Sequence, residues 1–408
     1  MENQTGSSRL PGFFSLPAGE RIGVSSKIAN LSHVETSALH SYGVLTQELT
    51  DIFIENAVGT FSLPLGIATN FSINGRDVLI PMAVEESSVL AAASHGAKLA
   101  RTGGGFHTSS SEPVMTGQIQ LFPEPGVNFD AILEENRQLI LDYANRGQER
   151  LLKRGGGAKT LDWYFIKELE CIVLNLHINT CDAMGANIVN TMAEKVSLFV
   201  ADKLIPVSDI GLRILTNLTS KRTAKAECLI PPSAFRSSSL SGEQVIDKII
   251  KAWQFAWYDV NRAATHNKGV MNGIDPVLIA TGNDWRAIEA GAHAWCCRDG
   301  VYRPMTRWSK TQDGKLHGVL ELPMAVGTVG GVTRLHPAAQ AALKLMGNPD
   351  ARTLAEIICS VGLAQNMSAL RALASEGIQK GHMALHQKNL RLMSPESGVH
   401  SDRSVRNH

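Results

Sequence analysis

Four places along the chain carry side chains that could do chemistry. Glu85 and Glu86 stand side by side after the apolar run Val78–Val84. Acidic residues at the head of a helix favour its dipole. Alternatively, one carboxyl held protonated in apolar surroundings is a proton donor. Lys268 lies in Thr265-His266-Asn267-Lys268-Gly269, ahead of Met271-Asn272-Gly273-Ile274-Asp275-Pro276. This stretch reads as a Gly/Asn/Pro loop, of the kind that carries sites on a rigid scaffold. Its lysine is either solvated or buried, and a buried one would stabilise a developing oxyanion. Asp284 follows Gly282-Asn283 and opens a helix, where Asp is a preferred N-cap and remains free to pair with a lysine. His382 follows Gly381, with His386 one turn on. Without a third ligand motif the pair is no zinc signature. A histidine there could be an acid delivered by a closing lid.

Glycine clusters occur at 103–105, 155–157 and 327–331. None is a G-x-G-x-x-G between a strand and a helix, so a Rossmann domain is not supported. Asp182-Ala183-Met184-Gly185-Ala186-Asn187 opens a helix through a small-residue turn. Such a turn can present free backbone N–H groups to phosphate.

The elements that must position these groups alternate in type. Short helices are expected over 27–56, and a hairpin over 60–81 turning at Asn74-Gly75. An Ala-rich helix over 85–101 stops at Gly103. The pattern then changes: a strand at 114–122, an amphipathic helix at 130–153, a strand-like stretch at 161–179, a helix at 182–203 and a strand at 209–216. This β-α-β-α-β run is the size of a small α/β unit inserted in a larger domain. The larger domain resumes with helices at 242–259 and 284–298, a hairpin at 306–323 turning at Asp313-Gly314, and mostly helix over 337–392. The tail from Ser394 is polar and expected to be disordered.

Composition bounds the rest. The 408 residues carry 39 basic and 38 acidic side chains, a net charge of +1. That balance argues against nucleic acid or an anionic membrane as partner. A 44% hydrophobic content suits a large core. The six cysteines form no C-x-x-C and no zinc spacing, so no metal is expected, and buried free thiols are. There is no secretory signal pattern in the first twenty residues and no long uncharged apolar run. A cytoplasmic location is the expectation.

Taken together, several segments resemble class II 3-hydroxy-3-methylglutaryl-coenzyme A reductase, from about residue 8 to 390. They are Glu55-Asn56-Ala57-Val58-Gly59, Asn74-Gly75-Arg76-Asp77, Val84-Glu85-Glu86, Asp182–Asn187, Arg262–Gly269, Gly282-Asn283-Asp284-Trp285-Arg286 and Glu376–His382. Their joint order and spacing are specific. The resemblance implies an α/β (α+β) fold. A large helix-rich domain around a central long helix (1–111 and 217–376) would hold an inserted ferredoxin-like α/β cofactor domain (112–216). A short C-terminal flap (377–408) would complete it.

The same resemblance implies reversible reduction of 3-hydroxy-3-methylglutaryl-CoA to mevalonate and CoA by two NADH or NADPH. It also implies a homodimer, or an assembly of dimers, joined through the Glu55–Gly59 motif. By motif position Glu86, Lys268, Asp284 and His382 correspond to the catalytic quartet. Arg262 corresponds to the group that pairs with the substrate carboxylate, and Ser88, Asn217 and Asn272 to other substrate-side positions. Asp182, Met184, Gly185 and Asn187 match the cofactor-side loop. Lys159-Thr160 stands after the triple glycine, where NADH-preferring relatives carry an acid, and would tolerate a 2′-phosphate. The arginine that touches CoA phosphate is replaced near Phe14, and His382 stands 26 residues from the end. The short tail leaves a second reading: a CoA-ester-binding protein with lost or weak catalysis. An acyl transferase or hydrolase would need a nucleophile beside a base, and no such signature occurs.

Overall fold

The computed structural model describes residues 7–40, 45–57, 60–236 and 240–375. His382 and the 377–408 segment lie outside the described residues.

Three helices lead in: α1 (Ala18–Ala29), α2 (His33–His40) and α3 (Gln47–Phe53). Then β1 (Leu65–Ile73) and β2 (Arg76–Ala83) form an antiparallel hairpin turning at Asn74-Gly75. Both turn residues have the positive φ that a tight primed turn requires. Next come α4 (Val89–Arg101) and β3 (Phe106–Ser110).

A second sheet follows, built from β4 (Val114–Pro123), β5 (Gly157–Ile166), β6 (Cys171–Asn179) and β7 (Val207–Leu215). Between β4 and β5 lie α5 (Phe129–Glu135), α6 (Arg137–Asn145) and α7 (Glu149–Leu152), and between β6 and β7 lies α8 (Ala186–Lys203). The order β5-β6-β4-β7 is all antiparallel, the ferredoxin-like arrangement. Two expectations change here. The stretch 161–179 is not one strand: it takes in the end of β5 and all of β6, the two arms of a hairpin that reverses at Glu170, with φ 49. The helix expected over 130–153 is three pieces, interrupted at Asn136 and at Arg146–Gln148, where Gly147 has φ 79.

The chain returns to the first sheet through β8 (Thr223–Ile230), then runs through α9 (Gly242–Tyr258), α10 (Val260–Ala280) and α11 (Trp285–Trp295). The hairpin β9 (Thr306–Lys310) and β10 (Leu316–Pro323) completes that sheet, in the order β2-β1-β3-β8-β10-β9. Helices α12 (Gly331–Leu335), α13 (Pro337–Leu345) and α14 (Ala351–Ser375) follow.

Helix α14 is the central long helix, packed by α10, α4, α9 and the sheet strands β8 and β10. By length and mean hydropathy it could cross a membrane, yet 72% of its most apolar window is buried inside the molecule. A helix apolar on all sides and enclosed by its own fold is a core helix.

The largest departure from expectation is α10, whose segment reads as a loop. Asp259 caps it, its Oδ1 accepting from Arg262 N at 2.7 Å. Ala263, His266, Asn267, Val270, Met271, Ile274, Val277 and Leu278 then form a buried helical stripe. The glycine that suggests a loop is a packing device: a Cβ at Gly273 would lie 2.9 Å from Val361 O of α14. Polar core residues lock the crossing. Asn366 Oδ1 accepts from Thr306 Oγ1 and from Trp308 Nε1, each at 2.9 Å, and Asn366 Nδ2 lies 3.1 Å from His266 Nε2. Burial holds the His266 imidazole down to about 3, neutral at any working pH.

All six cysteines are free. Four are buried, whereas Cys297 is exposed and Cys181 is half-buried.

Candidate active site

Two of the chemistry-bearing side chains meet, Glu86 from the β2–α4 turn and Lys268 from α10, while Asp284 stands apart at the head of α11. Glu86 follows β2 in the turn before α4, and Ser88 is the residue that caps α4. Ser88 has φ 77 and its side chain makes no cap hydrogen bond, so its hydroxyl is not spent on the helix. A serine in the left-handed region is a strained position, of the kind that clusters at functional sites.

Lys268 projects from the outer face of α10. Its neighbours His266 and Asn267 face the core, where Asn267 bonds to Arg303 O and Met305 N. At 100° per residue, Lys268, Asn272 and Asp275 share one face of about 60°. Lys268 Nζ donates to Glu86 Oε2 at 3.1 Å. The two side chains are 62% and 41% exposed, so the pair lies open to solvent. Arg262 is half-buried in the first turn of the same helix, and burial lowers its guanidinium from the ordinary value. Asn272 is half-buried one turn beyond Lys268.

Asp284 caps α11, its Oδ1 accepting from Ala287 N at 3.2 Å. The same oxygen lies 3.4 Å from Arg286 Nη2. Among the described residues its ion pair is with Arg286 and not with Lys268. Lys268 sits twelve residues before the end of α10, about 18 Å along the axis. Asn217 is exposed in the β7–β8 connection, and its carbonyl lies against Gly291 of α11.

A second carboxyl on the Lys268 face is absent from the sequence reading. Asp275 is pushed up to about 8, first by burial and then by the Glu289 carboxylate on α11. Its Oδ1 is buried without a hydrogen-bond partner. The signal in the sequence is its i+7 spacing from Lys268, visible only once 260–280 is known to be helical.

The loop from Thr180 to Gly185 joins β6 to α8. Gly185, at φ 91, caps the helix, and a Cβ there would lie 2.4 Å from Thr180 Cγ2. No side chain caps this N-terminus, which leaves backbone N–H groups of the first turn to meet an anion. Asn187 is exposed within that turn, and Met184 is half-buried before it. Asp182 has a structural role as well: its Oδ1 accepts from Ala351 N at 3.1 Å, at the head of α14. Lys159 and Thr160 are exposed near the start of β5, beside the end of β6 that feeds this loop. Lys159 is the unpaired residue of a bulge between Ala158 and Thr160, and its charge acts on Cys181 in the loop. The residues present therefore fit a dinucleotide, with a helix terminus for phosphate and a bulged edge for a ribose.

Among the described residues no group of three or more His, Cys, Asp or Glu is arranged to hold a metal ion. A cavity of about 800 Å³ lies elsewhere, between α1, the β1 and β2 ends and α13. Neither Glu86 nor Lys268 lines it.

Comparison with known proteins gives one consistent result. The family model described as hydroxymethylglutaryl-coenzyme A reductase matches residues 20–387. A 3-hydroxy-3-methylglutaryl-coenzyme A reductase of Archaeoglobus fulgidus is 45% identical over 98% of this chain and 90% of its own. A probable reductase of the same name from Borreliella burgdorferi is 37% identical over 85% of this chain and 79% of its own. In structure, the chain is similar to the class II enzyme of Streptococcus pneumoniae bound to NADPH in open conformations. That match has a TM-score of 0.84 at 38% identity, over 90% of this chain and 99% of that one.

Proposed function

Because the chain belongs to the hydroxymethylglutaryl-coenzyme A reductase family, we propose that the site between Glu86 and α10 is where its substrate is reduced. The protein is an NAD(P)H-dependent 3-hydroxy-3-methylglutaryl-CoA reductase. The reaction consumes the thioester, two NAD(P)H and two protons, and yields mevalonate, CoA and two NAD(P)⁺. The same membership disfavours the reading as a binding protein without catalysis. The observation that carries the site assignment is the 3.1 Å contact between Lys268 and Glu86.

Each side chain has a distinct task. As the carbonyl is reduced, negative charge collects on its oxygen, and the Lys268 ammonium stabilises it. Glu86, within hydrogen-bond reach of that ammonium, delivers the proton to the same oxygen. Arg262 holds the free carboxylate at the other end of the substrate, a task suited to a planar fork of donors. Asn272 and Ser88 supply neutral hydrogen bonds beside it, and Asn217 lines the side toward α11. Asp284 anchors the head of α11 and adds negative charge to the site. His382 protonates the departing CoA thiolate.

The Asp182–Asn187 loop with Lys159 and Thr160 would hold the nicotinamide cofactor. When bound, that cofactor supplies hydride. Lys159 favours the 2′-phosphate of NADPH, and Thr160 leaves it room, so NADPH serves as well as NADH. The open site fits completion by a second copy, as a dimer or assembly of dimers in the cytoplasm. The test is loss of the reduced-nicotinamide absorbance with 3-hydroxy-3-methylglutaryl-CoA, run with each cofactor and in both directions. Turnover in neither direction at any cofactor concentration would remove the assignment.

A further inference from the structure

Arg222 is a charged side chain that the scheme above leaves unused, and it is only 4% exposed. A buried guanidinium is costly unless its donors are satisfied. Here they go to neutral groups on two separate parts of the chain. Nη1 donates to Thr180 Oγ1 at 3.0 Å, to Ala183 O at 3.1 Å and to Met184 O at 3.4 Å. Nη2 donates to Val326 O, just beyond β10. One planar group thus fastens the turn before α8 to the strand end of the larger sheet. A lysine, with a single ammonium on a flexible stem, could not span both.

The chain of contacts continues toward the substrate side. Gly327 N donates to Asn283 Oδ1 at 2.8 Å, and Asn283 immediately precedes Asp284. Thr328 N donates to Asp182 O at 2.9 Å. The two loops touch so closely that a Cβ at Gly327 would lie 2.5 Å from Met184 N. Thr180, Arg222, Val326–Thr328 and Asn283 therefore form one continuous polar seam.

We propose that Arg222 is a positioning residue for the reduction, setting the height of the cofactor loop over the Asn283–Asp284 turn so that hydride donor and substrate carbonyl stay in register. The proposal rests on the reading that the Asp182–Asn187 loop holds the cofactor. A displacement of about 1 Å between reacting partners costs on the order of a hundredfold in rate. The seam would therefore act on cofactor use while leaving the grip of Arg262 on the substrate intact.

The test is steady-state kinetics of the full chain carrying Arg222→Gln, Asn283→Ala or Asn187→Asp, with circular dichroism of each. Asn283→Ala cuts the same seam without disturbing a buried charge, and decides the matter if Arg222→Gln does not fold. The expected result is a rise in the cofactor KM with a fall in kcat, each about 10- to 100-fold, from both seam variants. The KM for 3-hydroxy-3-methylglutaryl-CoA should stay within about twofold. Arg222→Lys should recover only part of the loss. If Asn187→Asp raises the cofactor KM but both seam variants leave it and kcat unchanged, the seam has no positioning role. Equal rises in both KM values would mark it as structural support only. If Asn187→Asp leaves the cofactor KM unmoved, the loop assignment fails and the proposal falls with it.

Discussion

Lys268 Nζ and Glu86 Oε2 stand 3.1 Å apart although 182 positions separate them. A pair this exposed contributes little to folding, about 0–1 kcal/mol. The proposed role of the pair is chemical, and the two contributions can be separated by experiment. Replacing Lys268 by alanine should leave the melting temperature nearly unchanged while kcat falls on the order of 10²- to 10³-fold, the usual effect of losing one oxyanion donor. Glu86→Gln keeps the shape and removes the ionisable carboxyl, and should also reduce kcat rather than raise KM. Parallel thermal melts and initial rates check both. A Lys268→Ala protein with full activity would remove lysine from the scheme.

In the proposed scheme Arg262 acts on binding. It lies in the first turn of α10, half-buried, and its backbone N–H is already held by Asp259. Arg262→Met should raise the KM for 3-hydroxy-3-methylglutaryl-CoA about 10- to 100-fold, the equivalent of about 1.5–3 kcal/mol for a charged hydrogen bond. The cofactor KM should not move. Arg262→Lys should recover part of the binding, since charge remains and the bidentate fork does not.

Asp275 sets a pH dependence of stability. Its folded-state value, pushed up to about 8, lies above the ordinary carboxyl value of 3.8. The folded protein therefore binds a proton that the unfolded chain releases between those limits. The stabilising contribution is complete below pH 3.8 and is lost as pH rises through about 8. Asp275→Asn removes this titration. Relative to the native chain, its melting temperature should improve steadily from pH 5 to pH 9. A difference that stays constant with pH would show that Asp275 is not protonated in the fold.

Local signals in the sequence locate much of this architecture. The hairpin turns at Asn74-Gly75 and Asp313-Gly314 are legible because positive-φ residues mark them within two positions. Helix α4 is legible from its alanines and its stop at Gly103. Helix α10 is not, because Asn267, Gly273 and Pro276 each argue against a helix in isolation. Only the partners supplied by other segments, Arg303 and Met305 for Asn267 and α14 for Gly273, turn those residues into packing contacts. The site divides in the same way. The types at Glu86, Lys268 and Asp284 suggest acid, amine and cap separately. Their grouping follows from family resemblance, and the meeting of Lys268 with Glu86 from the fold. The seam through Arg222 and Asn283 leaves no local signal in the sequence, because its partners lie 38 to 104 positions apart.

If the Asp182–Asn187 loop holds the cofactor as proposed, the bulge in β5 sets cofactor choice. Lys159 is re-aimed there as the unpaired residue, and Thr160 beside it carries no charge. A 2′-phosphate at this edge meets one cation and no carboxylate from these two positions. Thr160→Asp introduces a negative charge that a 2′-phosphate must face, whereas a 2′-hydroxyl can donate a hydrogen bond to it. Like-charge repulsion at about 4 Å amounts to roughly 1–4 kcal/mol between solvent and surface limits. The ratio of kcat/KM for NADPH over NADH should therefore fall at least about fivefold in Thr160→Asp. Lys159→Ala should lower the same ratio by removing the attraction, with kcat for NADH unchanged. Initial rates with each cofactor at saturating 3-hydroxy-3-methylglutaryl-CoA measure both effects. A ratio unmoved by either substitution would place the ribose elsewhere on the small domain.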